Sequence, residues 1–324
     1  MKAILQPAYG LPEVLHLAEV DRPVLHDDGV LVRVLAASVN KADWHYLTGA
    51  PYLFRLSGVG FKRPNKPIPG MAVAGRVVAV GVNVHAFQVG DEVFGEIDRG
   101  GFAEYVCVSE QELAHKPADL AFEESAALPL AGTTALQGLR DAGRLQPGQS
   151  VLINGAAGGV GTFAVQIAKA LGAVVTGVCS TRNVELVRSI GADHVVDYNQ
   201  EDFTRGDRRY DVIFDLVGNQ SLSACRRVLT EHGRLVSSSG GAEHAWVGPM
   251  VFVLSGIASN LYSRQPFVAF AAKASKDDLI ALRGLVEAGQ VRPVIDRHYK
   301  LSEVPEAMRY LGQGRSRGKC VVTL

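Results

Sequence analysis

The chain has 324 residues and a mass of 34.6 kDa, which at roughly 150 residues per domain allows about two domains. Apolar residues make up 47% and charged residues 20%, the mix of a folded globular protein rather than a disordered one. Lys+Arg and Asp+Glu both number 33, so no net field draws the chain to nucleic acid or to anionic lipid.

Cys107, Cys179, Cys225 and Cys320 are too scattered for a disulfide framework or a CxxC pair, which points to a reducing compartment. The first stretch, MKAILQPAYGLPEVL, has no apolar core of signal-peptide length. The longest apolar run, 246–258, is broken by Gly248, Pro249 and Gly256 and falls short of the roughly 20 residues of a spanning helix. A cytoplasmic location with no membrane span and no nucleic-acid partner is expected.

In chain order, the first 120 residues read as β-rich. VLVRVLAASV (30–39), VAGRVVAVG (73–81) and AEYVCVS (103–109) are short β-branched runs bounded by Gly, Asp and Pro. The rhythm then changes. VLING (151–155), VVTGVC (174–179), HVVDY (194–198), DVIFDLVG (211–218) and GRLVSSS (233–239) are strand-like, with helical periodicity at Val160–Leu171 and Val184–Ile190. Alternation of this kind predicts βαβ units and a parallel sheet covered on both faces. Near the end, 276–289 reads as an amphipathic helix closed by Gly289, RPVIDRHYKL as a strand, Ser302 as the N-cap of a helix to Leu311, and KCVVTL as a last strand. The expected fold is α/β, with a β-rich domain over 1–122 and 273–324 interrupted by a doubly wound domain over 123–272.

The strongest motif is INGAAGGVGTFAVQIAKALGA (153–173). Ala157, Gly158, Gly159, Val160 and Gly161 form the turn between a strand and a helix, a variant of the dinucleotide fingerprint with Ala156 at the usual first glycine. Glycines let the backbone approach a pyrophosphate, and a helix N-terminus offers free N–H groups. The second strand ends Cys179-Ser180-Thr181-Arg182 without the acid that accepts from a ribose 2′-hydroxyl. Hydroxyls and a guanidinium suit a 2′-phosphate instead, and Tyr198 after the next strand is placed to join them. NADPH is therefore expected over NADH, although Ser180 and Thr181 also suit helix capping.

The chain resembles the medium-chain dehydrogenase/reductases, in their zinc-free quinone oxidoreductase and alkenal/enone reductase branch. The resemblance runs over nearly the whole length: ASVNKADWHYLTG (37–49), PIPGMAVAGRVVAVGVNVHAFQVGDEVFG (67–95), GGFAEYVCV (100–108), AALPLAGTTALQGL (126–139), the glycine turn, IGADHVVDY (190–198), and RGKCVV (317–322). It implies a GroES-like first domain, a Rossmann second domain and an active site between them. Asn40 stands where zinc-dependent relatives have a Cys, and Gly70-Met71-Ala72 replaces a Gly-His-Glu step, so no metal is expected. Without a Lewis acid, conjugated acceptors are the easier substrates, because a phenolate or enolate spreads the developing charge.

By the same resemblance, Asn40, Asp43, His45 and Tyr46 are the expected catalytic residues. His45 stands where relatives often have Tyr, which leaves the proton donor open between it and Tyr46. Trp44 is a pocket wall or plain packing. Thr133 and Thr134, at a strand-to-helix transition, would approach the nicotinamide ribose or cap a helix from Ala135. Val217, Gly240, Phe270 and Ala271 complete the cofactor set, with Arg317 and Lys319 reaching its phosphates or standing solvated. The apolar loop 246–258 would be a lid or an oligomer contact, and Cys179 a buried filler. The resulting expectation is an NADPH-dependent, zinc-independent reductase of electrophilic quinones or α,β-unsaturated carbonyls, with a homodimer suggested by relatives. Alternatives are an alcohol or aldehyde dehydrogenase, or an NADPH-binding regulatory or structural protein with vestigial activity.

Overall fold

The computed structural model describes residues 1–52, 55, 59–238 and 250–324, the last from 253 onward with side chains. Along the chain, β1 (Lys2–Leu5), β2 (His16–Glu19) and β3 (Gly29–Val39) precede α1 (Lys41–Thr48). Then come β4 (Ala72–Val80), β5 (Glu92–Glu96), β6 (Tyr105–Ser109), β7 (Leu113–His115), α2 (Phe122–Ala127) and α3 (Ala131–Gln137). β8 (Ser150–Asn154), α4 (Gly159–Ala170), β9 (Val174–Cys179), α5 (Val184–Ser189), β10 (His194–Asp197), β11 (Tyr210–Asp215), α6 (Leu222–Arg227), β12 (Leu229–Ser237), α7 (Met250–Ser259) and β13 (Phe267–Ala269) follow. The chain ends with α8 (Lys276–Glu287), β14 (Ile295–Lys300), α9 (Val304–Gly312) and β15 (Lys319–Thr323).

Two compact units divide these elements. The first comprises Met1–Thr133, Ala274–Glu287 and Pro293–Leu324; the second comprises Thr134–Lys273 and Ala288–Arg292. The first change of unit therefore falls inside α3 at 133 rather than at 122, because α2 packs on β3, β4 and β15 of the β-rich unit.

In the first unit the strand order is β14-β15-β3-β4-β5-β7, with β6 also on β3. All these neighbours are antiparallel except β14 and β15. β3 is the spine: Val30, Val32, Val34, Ala37 and Val39 are all buried, in a core that also takes in Leu47, Phe102, Val304 and Met308. In the second unit the order is β10-β9-β8-β11-β12-β13, every pair parallel. The chain starts this sheet at β8, winds outward to β10, then returns to β11 on the other side of β8. That reversal makes a topological switch point at the carboxyl ends of β8 and β11. Two buried glutamine amides brace this unit by reciprocal bonds, Gln137 with Lys273 (Nε2–O 2.7 Å, N–Oε1 3.0 Å) and Gln166 with Arg292 (2.9 and 2.8 Å).

Three local expectations change. The segment before Thr133 is helical rather than a strand, so both threonines lie inside α3. Ser302 does not cap a helix: a 3-10 turn occupies Leu301–Glu303 and α9 begins at Val304, with Pro305 in its first turn. The apolar stretch 246–258 is helical from Met250, with Gly256 seated on the Phe267 ring of β13. Among the described residues no helix is long and apolar enough to cross a membrane.

The glycine turn is held by close approach. A Cβ on Gly161 would lie 2.1 Å from the Gly155 carbonyl oxygen, a backbone atom that cannot step aside. Gly161→Ala is expected to cost about 1–3 kcal/mol of unfolding free energy, read from the urea midpoint; an unchanged midpoint would contradict this packing.

Candidate functional site

In the second unit the site is the carboxyl edge of the parallel sheet. α4 starts with Gly158 as N-cap, and Thr162 is the first residue whose N–H finds an acceptor there, the Gly158 carbonyl at 3.0 Å. Gly159, Val160 and Gly161 have no such in-helix acceptor, as at every helix start. At Gly158 an added Cβ would meet only the Gly155 oxygen at 3.4 Å, so that side of the turn is open, while Ala157 is buried. An open turn with unsatisfied amides at a helix N-terminus fits a pyrophosphate.

Across the switch point, Asn154 and Asp215 join the ends of β8 and β11. Asn154 Nδ2 donates to Asp215 Oδ1 and Asn219 Oδ1, both at 2.9 Å, and Asp215 Oδ1 also accepts from the amides of Val217 (3.0 Å) and Gly218 (2.9 Å). That bracing sets Val217, half exposed, against Gly155. Nothing in the local sequence singles out Asn154, Asp215 or Asn219; only the pairing of two distant strands makes them neighbours.

Cys179 and Asp197 are paired across β9 and β10, so Ser180-Thr181-Arg182 and Tyr198-Asn199 leave adjacent strand ends. Arg182 and Tyr198 are exposed, the latter with a 58% accessible side. Ser180 Oγ accepts from Asn183 Nδ2 at 3.2 Å. Thr181 differs from expectation. Its hydroxyl is hydrogen-bonded to Asp197 and accepts from Asn199 Nδ2 at 3.1 Å, so its own proton is engaged. The acid absent from β9 is thus present at the end of β10. Its oxygens are occupied by Thr181, the Asn199 amide (3.0 Å) and Gln200 Nε2 (2.9 Å), which hold the carboxyl below the usual range. Phe270 does not offer its amide, which donates to Ser237 O at 2.9 Å; Ala271 is exposed. Gly240 lies outside the described residues. Cys179 is buried, and burial pushes its thiol up to about 11.

In the first unit the expected residues cluster at the start of α1. Asn40 is the N-cap, and its backbone N–H donates to Asp43 Oδ2 at 2.8 Å. Asn40 Nδ2 donates to Ser38 O at 2.9 Å, while its Oδ1 accepts from the Lys319 ammonium, which also donates to Val39 O at 3.1 Å. Lys319 is therefore corrected. Its side chain is buried inside this unit, on Asn40, rather than solvated or extended to a phosphate. Arg317 is exposed, its amide on Asp296.

Asp43 is 1% exposed, and Oδ1 has no partner among the described residues. Burial pushes this carboxyl up to about 6, against Asn40, Lys319 and Arg99. Burial likewise pulls the Lys319 ammonium down to about 8, with Asp43, Cys320 and Glu96 acting the other way. Arg99 places its guanidinium 4.2 Å from the centre of the Tyr46 ring and donates to Lys66 O at 2.8 Å. Tyr46 is half-buried, and burial raises its phenol first, with Asp98 adding to the effect.

His45 is tied to the backbone through one ring nitrogen. Nδ1 lies 3.1 Å from Ala50 O, which can only accept, so the ring proton sits there and Nε2 is bare in the neutral form. Burial lowers its pKa and favours that neutral form. Trp44 packs on Gly312 of α9. Thr133 is fully buried and donates to Glu96 Oε2 at 2.7 Å, and the same oxygen receives the Leu130 amide at 3.1 Å. This threonine therefore secures the start of α3, where Leu130 has φ 60°. Glu96 and Arg99 were not singled out from the sequence.

The residues around Asn40 do not fit zinc. The amide oxygen already holds an ammonium, Met71 stands in place of an imidazole, and no group of three or more His, Cys, Asp or Glu suited to a metal occurs among the described residues.

Comparison with known proteins bears on the whole chain. The alcohol dehydrogenase GroES-like domain matches residues 26–118 and the zinc-binding dehydrogenase domain matches 190–322. The chain is 35% identical to 2-methylene-furan-3-one reductase of Solanum lycopersicum, over 99% of this chain and 79% of that protein. It is 33% identical to the chloroplastic NADPH-dependent alkenal/one oxidoreductase of Arabidopsis thaliana, with the same coverage of 99% and 79%. Among solved structures, the quinone oxidoreductase of Coxiella burnetii superposes with a TM-score of 0.85 at 30% identity, covering 100% of this chain and 99% of that one. The chain belongs to the medium-chain dehydrogenase/reductase family. Within it, the chain falls in the quinone oxidoreductase and alkenal/enone reductase branch.

Because its folded-state pKa is raised, the Asp43 carboxyl adds stability below its ordinary value of 3.8, and that contribution is lost as pH rises through about 6. The stability of Asp43→Asn relative to the parent is expected to rise between about pH 4 and pH 6 in urea unfolding and to level off above that. A pH-independent difference would show that Lys319 and Arg99 cancel the cost of burial.

Proposed function

We propose that this protein is an NADPH-dependent, metal-independent reductase of quinones or α,β-unsaturated carbonyls. The observation that carries the reading is the open amide turn of 158–161 at the switch point of a six-stranded parallel sheet. The substrate class is supported by relatives named for quinone and enone reduction.

Bound NADPH would supply a hydride. Gly158, Gly159, Val160 and Gly161 would receive its pyrophosphate through backbone amides, with Ala157 and Val217 as apolar walls. Ser180, Arg182 and Tyr198 would hold the 2′-phosphate, Arg182 by a charge-assisted bond. Thr181 helps by steadying Asn199 rather than as a direct donor. Ala271 would present its amide to the carboxamide, and Gly240 completes the cofactor set from the sequence alone. Arg317, exposed, is kept as a phosphate contact.

On the acceptor side, Asn40 and Tyr46 are the donors assigned to the substrate oxygen. Negative charge builds on that oxygen as the β-carbon or ring accepts a hydride, and N–H and O–H groups stabilise it. Tyr46 Oη is the assigned source of the proton, its charge balance set by Arg99 over the ring. Asp43 holds the start of α1 so that Asn40 and Tyr46 keep their places. Metal independence rests on the donor types around Asn40. The cytoplasm is proposed as the compartment, consistent with four free cysteines, and β13, the last strand of its sheet among the described residues, is the proposed edge for a homodimer.

NADPH and NADH consumption, followed at 340 nm against quinones, enals, enones and simple alcohols, tests this reading. NADPH-dependent turnover of the conjugated acceptors, unchanged after chelator treatment, is expected. Turnover of simple alcohols with stoichiometric zinc would replace it with an alcohol dehydrogenase. Tight NADPH binding with no turnover across the panel would replace it with a regulatory protein. Arg182→Ala should raise KM for NADPH about tenfold or more with little change for NADH; equal effects on both would remove Arg182 from the 2′-phosphate site.

A further inference from the structure

Lys319 is a buried charge to which the roles assigned above give no part in the reaction. Lys319 opens β15 and is 3% exposed, yet its ammonium neither reaches solvent nor makes a simple ion pair. It donates to the Asn40 side-chain oxygen and, at 3.1 Å, to the Val39 carbonyl. Asp43 on α1, Glu96 on β5 and the neighbouring Cys320 thiol act on it electrostatically.

A primary amide has one oxygen acceptor and two N–H donors. At Asn40 the oxygen is filled by Lys319, and one N–H is directed to Ser38 O at 2.9 Å. The remaining contact, to Ser38 Oγ at 3.5 Å, is at the outer limit of a hydrogen bond. Turning the amide over would put its NH₂ against an ammonium and its oxygen against the Ser38 carbonyl, two repulsions in a buried place. The cation therefore decides which end of the amide is engaged and leaves the second N–H, which also acts on the Asp43 carboxyl, as a donor.

We propose that Lys319 is a positioning residue that locks the Asn40 amide as a hydrogen-bond donor, with its oxygen turned inward and its N–H side left for the acceptor's oxygen. This inference rests on the reading of Asn40 as a donor to the acceptor's oxygen. A ligand oxygen gaining negative charge is matched by an N–H donor at that amide.

The test uses Lys319→Met and Lys319→Arg, each alone and combined with Asn40→Ala, with kcat and KM measured for a quinone and Kd for NADPH by fluorescence. Lys319→Met should lower kcat about tenfold or more while NADPH Kd stays within about twofold, and Lys319→Arg should recover part of kcat. In the Asn40→Ala background, Lys319→Met should cost less than about twofold further, since both changes remove one interaction. Equal losses in both backgrounds would overturn the inference, as would a loss accounted for by the folded fraction alone. Should Lys319→Met fail to fold, Lys319→Met/Asp43→Asn removes both buried charges and is compared with Asp43→Asn alone under the same criteria. If the parent protein reduces no acceptor, the functional reading fails, while the lock is still decided by the Asn40 side-chain ¹⁵N–¹H signals. The N–H bonded to Ser38 is expected to be protected from solvent exchange in the parent and to exchange at least tenfold faster in Lys319→Met; equal exchange rates would refute it.

Discussion

The contact between the Lys319 ammonium and the Asn40 amide is the constraint around which the first unit's chemistry is arranged. A buried cation is costly unless neighbouring groups compensate it. Here compensation comes from three directions: a backbone carbonyl and an amide at the end of β3, a carboxyl on α1, and a carboxyl on β5. Because these groups sit on different elements, the charge fixes the start of α1 relative to β15 and β3, strands that are themselves neighbours in the sheet. Asn40 and Asp43 then share one local arrangement, the amide tied to the strand and the carboxyl closing on the helix start. A single buried charge thus holds a polar cluster that an apolar core could not orient.

The second unit solves a different problem by backbone geometry. Its parallel strands all end on the same edge, and the reversal between β8 and β11 leaves that edge unfilled by a crossover. Gly161 brings α4 against the end of β8, and Asn154 ties β8 to β11 through Asp215. The groups proposed to meet the cofactor are accordingly at strand ends, with Asp197 occupied by Thr181, Asn199 and Gln200.

Glu96 shows how a residue outside any motif can order the first unit. It lies at the end of β5, yet its carboxyl receives the Leu130 amide and the Thr133 hydroxyl, holding a left-handed backbone position just before α3. It also contributes to the field at Lys319. The threonine that sequence resemblance assigns to a ribose is, in the fold, a partner of this carboxylate.

Local sequence determined the alternation of strand and helix from Ser150 to Asp215, the glycine turn and its helix, the absence of zinc-ligand residue types at Asn40 and Met71, and the position of Asn40 beside Asp43. Those features depend on neighbours within a few residues: a period of hydrophobicity, a residue without a Cβ, a cap three positions from its partner. Tertiary structure alone decided that Lys319 is buried 279 positions away on Asn40, that Thr133 belongs to Glu96, and that Asp197 restrains Thr181. In each case the side chain's chemistry was evident but its partner was not. Which hydrogen bond a polar group makes depends on which strands pair and which helices pack, and no spacing along the chain encodes that.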